Sequence, residues 1–259
     1  AIARRPSELK VPLFLVSLLP VIYSWIYSGL RRPLVFALAL TFAFFSQLLM
    51  NLEMDLKDKE RGLKCFDAEP FLSVGPCYSK LSARTQMMIR TVSLAALLTT
   101  ALLVLVITEE AILILFGALG VALMYAYLNK PIELYVRGLG EISTFFDFGP
   151  LLVLGSELAF SSTITMKALI ASIGFGLIAS SIRYSHHLPE EREGSMRKKL
   201  FPYVHTALLV LSSLALISPA KVLIGLAASI AASAYVIFGK LKVWADITYL
   251  ALFFVLLIV

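Results

Sequence analysis

Apolar runs of about 15–20 residues, each bounded by charged residues, recur along this chain from one end to the other. They fall at about 11–29, 33–50, 91–107, 111–128, 142–160, 168–182, 203–218, 222–239 and 243–259. At a helical rise of about 1.5 Å per residue, each run approaches the length needed to cross about 30 Å of hydrocarbon. In lipid every backbone N–H and C=O must find a partner inside the protein, which a helix provides and an open strand does not. Short alternating segments are absent, so a membrane barrel is not expected. Composition agrees: 59% of the 259 residues are hydrophobic, 15% are charged, and the mean hydropathy is +0.87. A soluble domain carries too much charged surface to reach that average. Disorder, a secreted disulfide scaffold and a nucleic-acid-binding domain are excluded on the same grounds. The formal charge of +6 reports topology and anionic lipid, with no nucleic-acid partner implied. Cys65 and Cys77 share one polar segment and have neither a CxxC nor a metal-ligand spacing. The expectation is an all-α, multi-pass protein of the cell membrane with nine transmembrane helices.

Charge then sets the orientation. With the N-terminus placed in the cytoplasm, only Arg31, Arg32, Lys167 and Lys221 of the 23 Lys+Arg fall on the outer side. That is the bias expected of a cytoplasmic N-terminus. The first run passes directly into the second with no small-residue cleavage site before a polar domain, so it reads as a span and not a signal peptide. One transmembrane domain, 1–259, is expected, with cytoplasmic cap segments at about 51–90, 129–141 and 183–202.

The cap segments hold the chemistry. If the second helix persists past its apolar run, Asn51, Asp55 and Asp58 fall at steps of four and three on one face, and Gly62 offers an exit. Two carboxylates and an amide are hard oxygen donors suited to Mg²⁺, which keeps water and bridges carboxylates to phosphate oxygens. The alternative is a solvated helix end, to which Glu53, Lys57, Lys59 and Glu60 are assigned. His186, Glu190 and Glu193 repeat the same spacing beside Pro189, which kinks a helix or begins a new turn. His186 and His187 together raise zinc, but no third ligand follows at a usual distance. Lys198 and Lys199 can neutralise a diphosphate and also serve topology. Tyr125, Tyr127, Lys130, Pro131 and Arg137-Gly138-Leu139-Gly140-Glu141 form a compact polar turn between two spans. Arg137 either grips phosphate with its planar fork or pairs with Glu141 at a helix end. Asp147, Glu157 and Asp246 lie in or near apolar runs, where charge is costly and turns to a cavity, a partner or an interface.

In order, these motifs resemble the UbiA superfamily of intramembrane prenyltransferases, most closely its MenA branch, the 1,4-dihydroxy-2-naphthoate polyprenyltransferases. Arg5-Pro6 with Leu9 and then Pro20-Val21 resemble the family's opening RPxxL and PV. Its first acidic motif is matched by Gln47, Asn51, Asp55, Asp58 and Gly62, with Met54 in place of a second Asn. Tyr127, Pro131 and Arg137-Gly-Leu-Gly-Glu141 follow, then Phe148-Gly-Pro150 and Val153-Leu-Gly155. The second acidic motif departs: Glu190 stands for its first Asp, Gly194 occupies the place of the second, and Glu193 replaces it only in a shifted register. The resemblance implies helices around a central cavity that opens sideways to lipid, with the site under the cytoplasmic cap. It implies about two Mg²⁺ ions, replaceable by Mn²⁺, held by Asn51, Asp55, Asp58, Glu190 and Glu193. Arg137, Lys198 and Lys130 would contact the diphosphate, and Tyr125, Tyr127, Glu141, His186 and His187 would line the pocket. Its substrates would be a polyprenyl diphosphate and an aromatic acceptor, with membrane lipids around it. A UbiA-type enzyme for 4-hydroxybenzoate or a glycerol-phosphate lipid, a non-catalytic lipid-binding descendant and a transporter are the competing readings.

Overall fold

A computed structural model describes residues 13–62, 78–135, 137–188, 194–238 and 242–259. All regular structure among them is helical. The helices are α1 (Leu13–Tyr27), α2 (Pro33–Glu60), α3 (Ala83–Thr108), α4 (Ile112–Leu128), α5 (Gly140–Phe146), α6 (Leu152–Ser161), α7 (Met166–His187), α8 (Met196–Ser213), α9 (Pro219–Phe238) and α10 (Lys242–Ile258). A 3-10 turn at Tyr78–Lys80 precedes α3, another at Leu214–Leu216 follows α8, and a π-helical turn at Asp147–Leu151 joins α5 to α6.

The expected nine transmembrane helices are corrected by these lengths. Six described stretches are long and apolar enough to cross a membrane: α2, α3, the joined passage Gly140–Ser161, α7, α8 with its extension to Leu216, and α9. The chain is a multi-pass membrane protein on that ground. The helices α1, α4 and α10 are apolar but have 15, 17 and 17 residues, about 22–26 Å at the helical rise and short of about 30 Å. Hydropathy counts residues that the backbone spends on turns. The run at 11–29 includes Ser28 and Gly29, where a turn with φ +76° at Gly29 has already ended the helix. In the other direction, α2 continues through Glu60 before Gly62 turns away at φ +73°. The start of α3 at Ala83 is fixed by Ser82, whose Oγ accepts from the Thr85 N–H.

Helix α7 is the inner column: 67% of its apolar window is buried, against 17% for α2 and α3. Around it Val16, Tyr23, Val153, Phe175, Ile178, Leu209, Ile247 and Phe253 form the main core. Leu98, Leu102 and Val106 on α3, with Ile114 and Leu115 on α4, are exposed, as a lipid-facing surface requires. The π turn contains Pro150, whose missing N–H the wider turn accommodates. It packs backbone to backbone on α7: a Cβ on Gly149 would strike Ser172 O, and one on Gly176 would lie 2.7 Å from Phe145 O.

Charge inside the bundle is paired. Glu157, 1% exposed, accepts from the Thr165 N–H at 3.0 Å and Thr165 Oγ1 at 2.8 Å, closing the turn before α7. Asp246 and His205 are both fully buried and meet at 2.9 Å through Oδ1 and Nε2. Ser185 donates to Asp246 Oδ2 at 2.7 Å, and Ser233 Oγ lies 3.1 Å from His205 Nδ1. This network ties α7, α8, α9 and α10 together. Asp147 accepts from Ser143 Oγ at 3.1 Å.

The bundle has two distinct ends. At one, Arg32 donates to Ala159 O and Ser162 Oγ, and Lys167 lies over the Tyr27 ring. The other gathers the last turns of α2, α4 and α7, the loop before α5 and the first turn of α8.

Candidate active site at one end of the bundle

Because α2 stays helical to Glu60, Asn51, Asp55 and Asp58 share one of its faces. Each has a described partner. Gln47 Nε2 donates to Asn51 Oδ1 at 3.1 Å, the Tyr78 N–H to Asp55 Oδ2 at 2.7 Å, and the Tyr135 hydroxyl to Asp58 Oδ1 at 2.9 Å. Burial, with the Asp55 carboxylate beside it, pushes the Tyr78 phenol up to about 12. Arg61 follows one turn on, bonded to Glu133 at 2.9 Å and lying 5.2 Å over the Tyr135 ring.

Facing this helix end is a cluster centred on Glu141. Its Oε1 accepts from Arg183 Nη1 at 2.6 Å and also from Arg197 Nη2. Arg183 Nε donates to the Tyr127 hydroxyl at 2.9 Å, and its guanidinium lies 5.2 Å over the Tyr127 ring and 5.8 Å from the Tyr135 centroid. His187 meets Tyr135 edge-on at 5.3 Å and His186 at 4.7 Å. The glycines Gly138 and Gly140 serve different ends here, the first a left-handed backbone and the second space for Arg183. A Cβ on Gly140 would collide with Arg183 Nη2, and one on Gly138, at φ +73°, would lie 3.6 Å from Arg197.

Of the residues singled out in the sequence, Asn51, Asp55, Asp58, Tyr127, Glu141, His186 and His187 come together here. Lys198 lies in the first turn of α8, next to Arg197, with its N–H bonded to Ser195 Oγ. Arg137 and Lys130 are exposed. Arg137 donates to Pro131 O at 2.5 Å, and Glu141 takes Arg183 and Arg197 as its partners. Tyr125 is 57% exposed; two positions from buried Tyr127, it lies on the opposite side of α4. Glu190, Glu193 and Pro189 lie outside the described residues, as do Cys65 and Cys77 of the longer cap segment. Sequence reasoning missed Arg183, Arg197, Tyr135 and the Arg61–Glu133 pair. One signal was available: Arg183 is three and four positions from His186 and His187 and so shares their side of the helix.

The donor chemistry fits a hard divalent cation. Among the described residues no three His, Cys, Asp or Glu side chains form a metal-binding group. Two carboxylates with an amide nevertheless suit Mg²⁺, which is commonly held by one or two carboxylates plus phosphate oxygens. Gln47 Oε1 and Asn51 Nδ2 are buried without a hydrogen-bond partner. Exchanging both amides keeps the bond between them and puts the Asn51 carbonyl oxygen at the buried position now without a partner, an acceptor left for a cation.

The chain is 26% identical over 165 residues to 1,4-dihydroxy-2-naphthoate octaprenyltransferase of Mycobacterium leprae (strain TN), covering 64% of this chain and 54% of that protein. This chain is similar to a polyprenyltransferase. It spans about half the length of that prenyltransferase. No protein-family model matches the chain, and no solved structure does.

Proposed function

We propose that this protein transfers a polyprenyl group from an allylic diphosphate to an aromatic acceptor, with 1,4-dihydroxy-2-naphthoate the acceptor and a menaquinone-type quinone the destination. The observation that carries the reading is the juxtaposition of the Asn51/Asp55/Asp58 face with the Arg183–Glu141–Arg197 cluster at one end of a membrane bundle. A polyprenyl diphosphate needs that pairing: oxygen donors and guanidinium groups for its head, and apolar helices for its tail. The prenyltransferase likeness points the same way.

Asn51, Asp55 and Asp58 orient the head of the substrate, with Glu190 and Glu193 as further oxygen donors. Mg²⁺, or Mn²⁺ in its place, would be held by Asn51, Asp55, Asp58, Glu190 and Glu193 and would supply positive charge against the departing diphosphate. Arg183 and Arg197 share a single carboxylate, so the cluster keeps a net positive charge directed at the same developing anion. The allylic C1–O bond breaks with its electron pair leaving on the diphosphate. Tyr127 or Tyr125 would offer a ring face to the cationic C1. A ring carbon of the acceptor then bonds to C1, and loss of the ring carboxylate as CO₂ restores aromaticity. The site and the N-terminus face the cytoplasm in this reading, following the basic residues.

Purified protein in lipid nanodiscs, given polyprenyl diphosphate and a panel of acceptors, tests the proposal. Mg²⁺-dependent release of diphosphate with a prenylated naphthalene product is expected. A product formed only with 4-hydroxybenzoate or a glycerol-phosphate lipid would reassign the acceptor. Absence of diphosphate release with every acceptor would leave a lipid-binding descendant.

A further inference from the structure

We propose that Tyr135 is a positioning residue for Asp58, fixing the plane of its carboxylate so that a divalent cation meets a preset oxygen. The inference rests on the reading above and adds a residue that no sequence motif singled out. The Tyr135 hydroxyl donates to Asp58 Oδ1 at 2.9 Å. Its ring has little freedom to move. Arg61 lies over it at 5.2 Å and Arg183 at 5.8 Å, while His187 at 5.3 Å and Tyr127 at 5.6 Å contact it at an angle. Its own N–H donates to Tyr127 O at 3.2 Å, tying the loop to the end of α4. Arg61 is held in turn by Glu133, two residues before Tyr135.

A carboxylate at a helix end otherwise samples several rotamers, and ordering it on binding costs affinity. A donor on one oxygen removes part of that cost, and it leaves the ligand set unchanged. Asp55 is served in the same way by the Tyr78 N–H at 2.7 Å. The difference is that the donor to Asp58 is a side chain, which mutation can delete without touching the backbone.

The test is Mn²⁺ binding to the purified full chain, read from the EPR signal of the free ion, with wild type, Tyr135→Phe and Asp58→Asn compared. Tyr135→Phe keeps the ring and its guanidinium contacts and loses only the hydroxyl. Its Mn²⁺ affinity should fall about 10- to 100-fold, the range for groups that orient metal ligands, with an unchanged unfolding midpoint. Half-saturating Mg²⁺ for turnover should rise by the same factor, while turnover at saturating Mg²⁺ returns near wild type. Wild-type Mn²⁺ affinity in Tyr135→Phe, with binding lost in Asp58→Asn, overturns the role of Tyr135 alone. If wild type binds no Mn²⁺, the cation reading falls and this inference with it. Should Tyr135→Phe fail to fold, Glu133→Gln releases Arg61 from one side of the ring and should weaken Mn²⁺ binding in the same direction; unchanged binding there also overturns the proposal.

Discussion

At Glu141 a single carboxylate oxygen accepts from two guanidinium groups, one of them, Arg183, only 7% exposed. Removing one partner of a buried ion pair leaves an uncompensated charge, which costs on the order of 3 kcal/mol. Glu141→Gln should therefore lower the unfolding midpoint in detergent by several degrees, and an unchanged midpoint would make the cluster incidental to stability. The two aspartates on α2 should behave differently. Asp55→Asn and Asp58→Asn keep shape and lose charge, so each should fold normally and lose about 10²-fold or more in turnover, the scale of one major electrostatic stabiliser. Near-wild-type turnover of either, assayed at saturating substrates and fixed Mg²⁺, would remove that residue from the site. These aspartates were legible because a 3.6-residue period places Asn51, Asp55 and Asp58 on one face from spacing alone. Arg183 was not. Its carboxylate partner is 42 positions away in the chain, and an arginine closing an apolar run reads as a side chain reaching for the interface.

Helix existence was readable from hydropathy, but helix length was not. Ends are set by local capping, such as Ser82 before α3 and Gly62 after α2, and apolar content does not register those events. The π turn was equally invisible, although Pro150 marks its place. What makes it matter is the contact it allows. Gly149 and Gly176 bring α7 against the passage from α5 to α6 so closely that a single methyl group has no room. Gly176→Ala should cost about 1–3 kcal/mol, the usual penalty for overfilling a packed contact. Gly117 on α4 is the control, since nothing lies within 4 Å of its would-be Cβ. Gly117→Ala should be neutral or stabilising by up to about 1 kcal/mol through helix propensity. Equal unfolding midpoints for the two variants would deny the close contact.

Across the whole molecule, the polar cluster at one end and the Arg32–Ser162 contact at the other define two faces of a membrane protein. Single cysteines at Lys59 and Lys198 should therefore react with an impermeant reagent from the same side of sealed vesicles, and cysteines at Arg31 and Lys221 from the opposite side. Labelling of Lys59 and Lys198 positions from different sides would break the site apart. The buried Asp246–His205 pair also bears on how such a molecule is made. Helix α10 emerges from the ribosome after α7 and α8, and Asp246 sits in its second turn with its partners on those earlier helices. A buried carboxylate without a partner is costly, and α10, at 17 residues, falls short of a bilayer span on its own. Its integration thus depends on helices already waiting with Ser185 and His205, so assembly of this half of the protein has a direction in time.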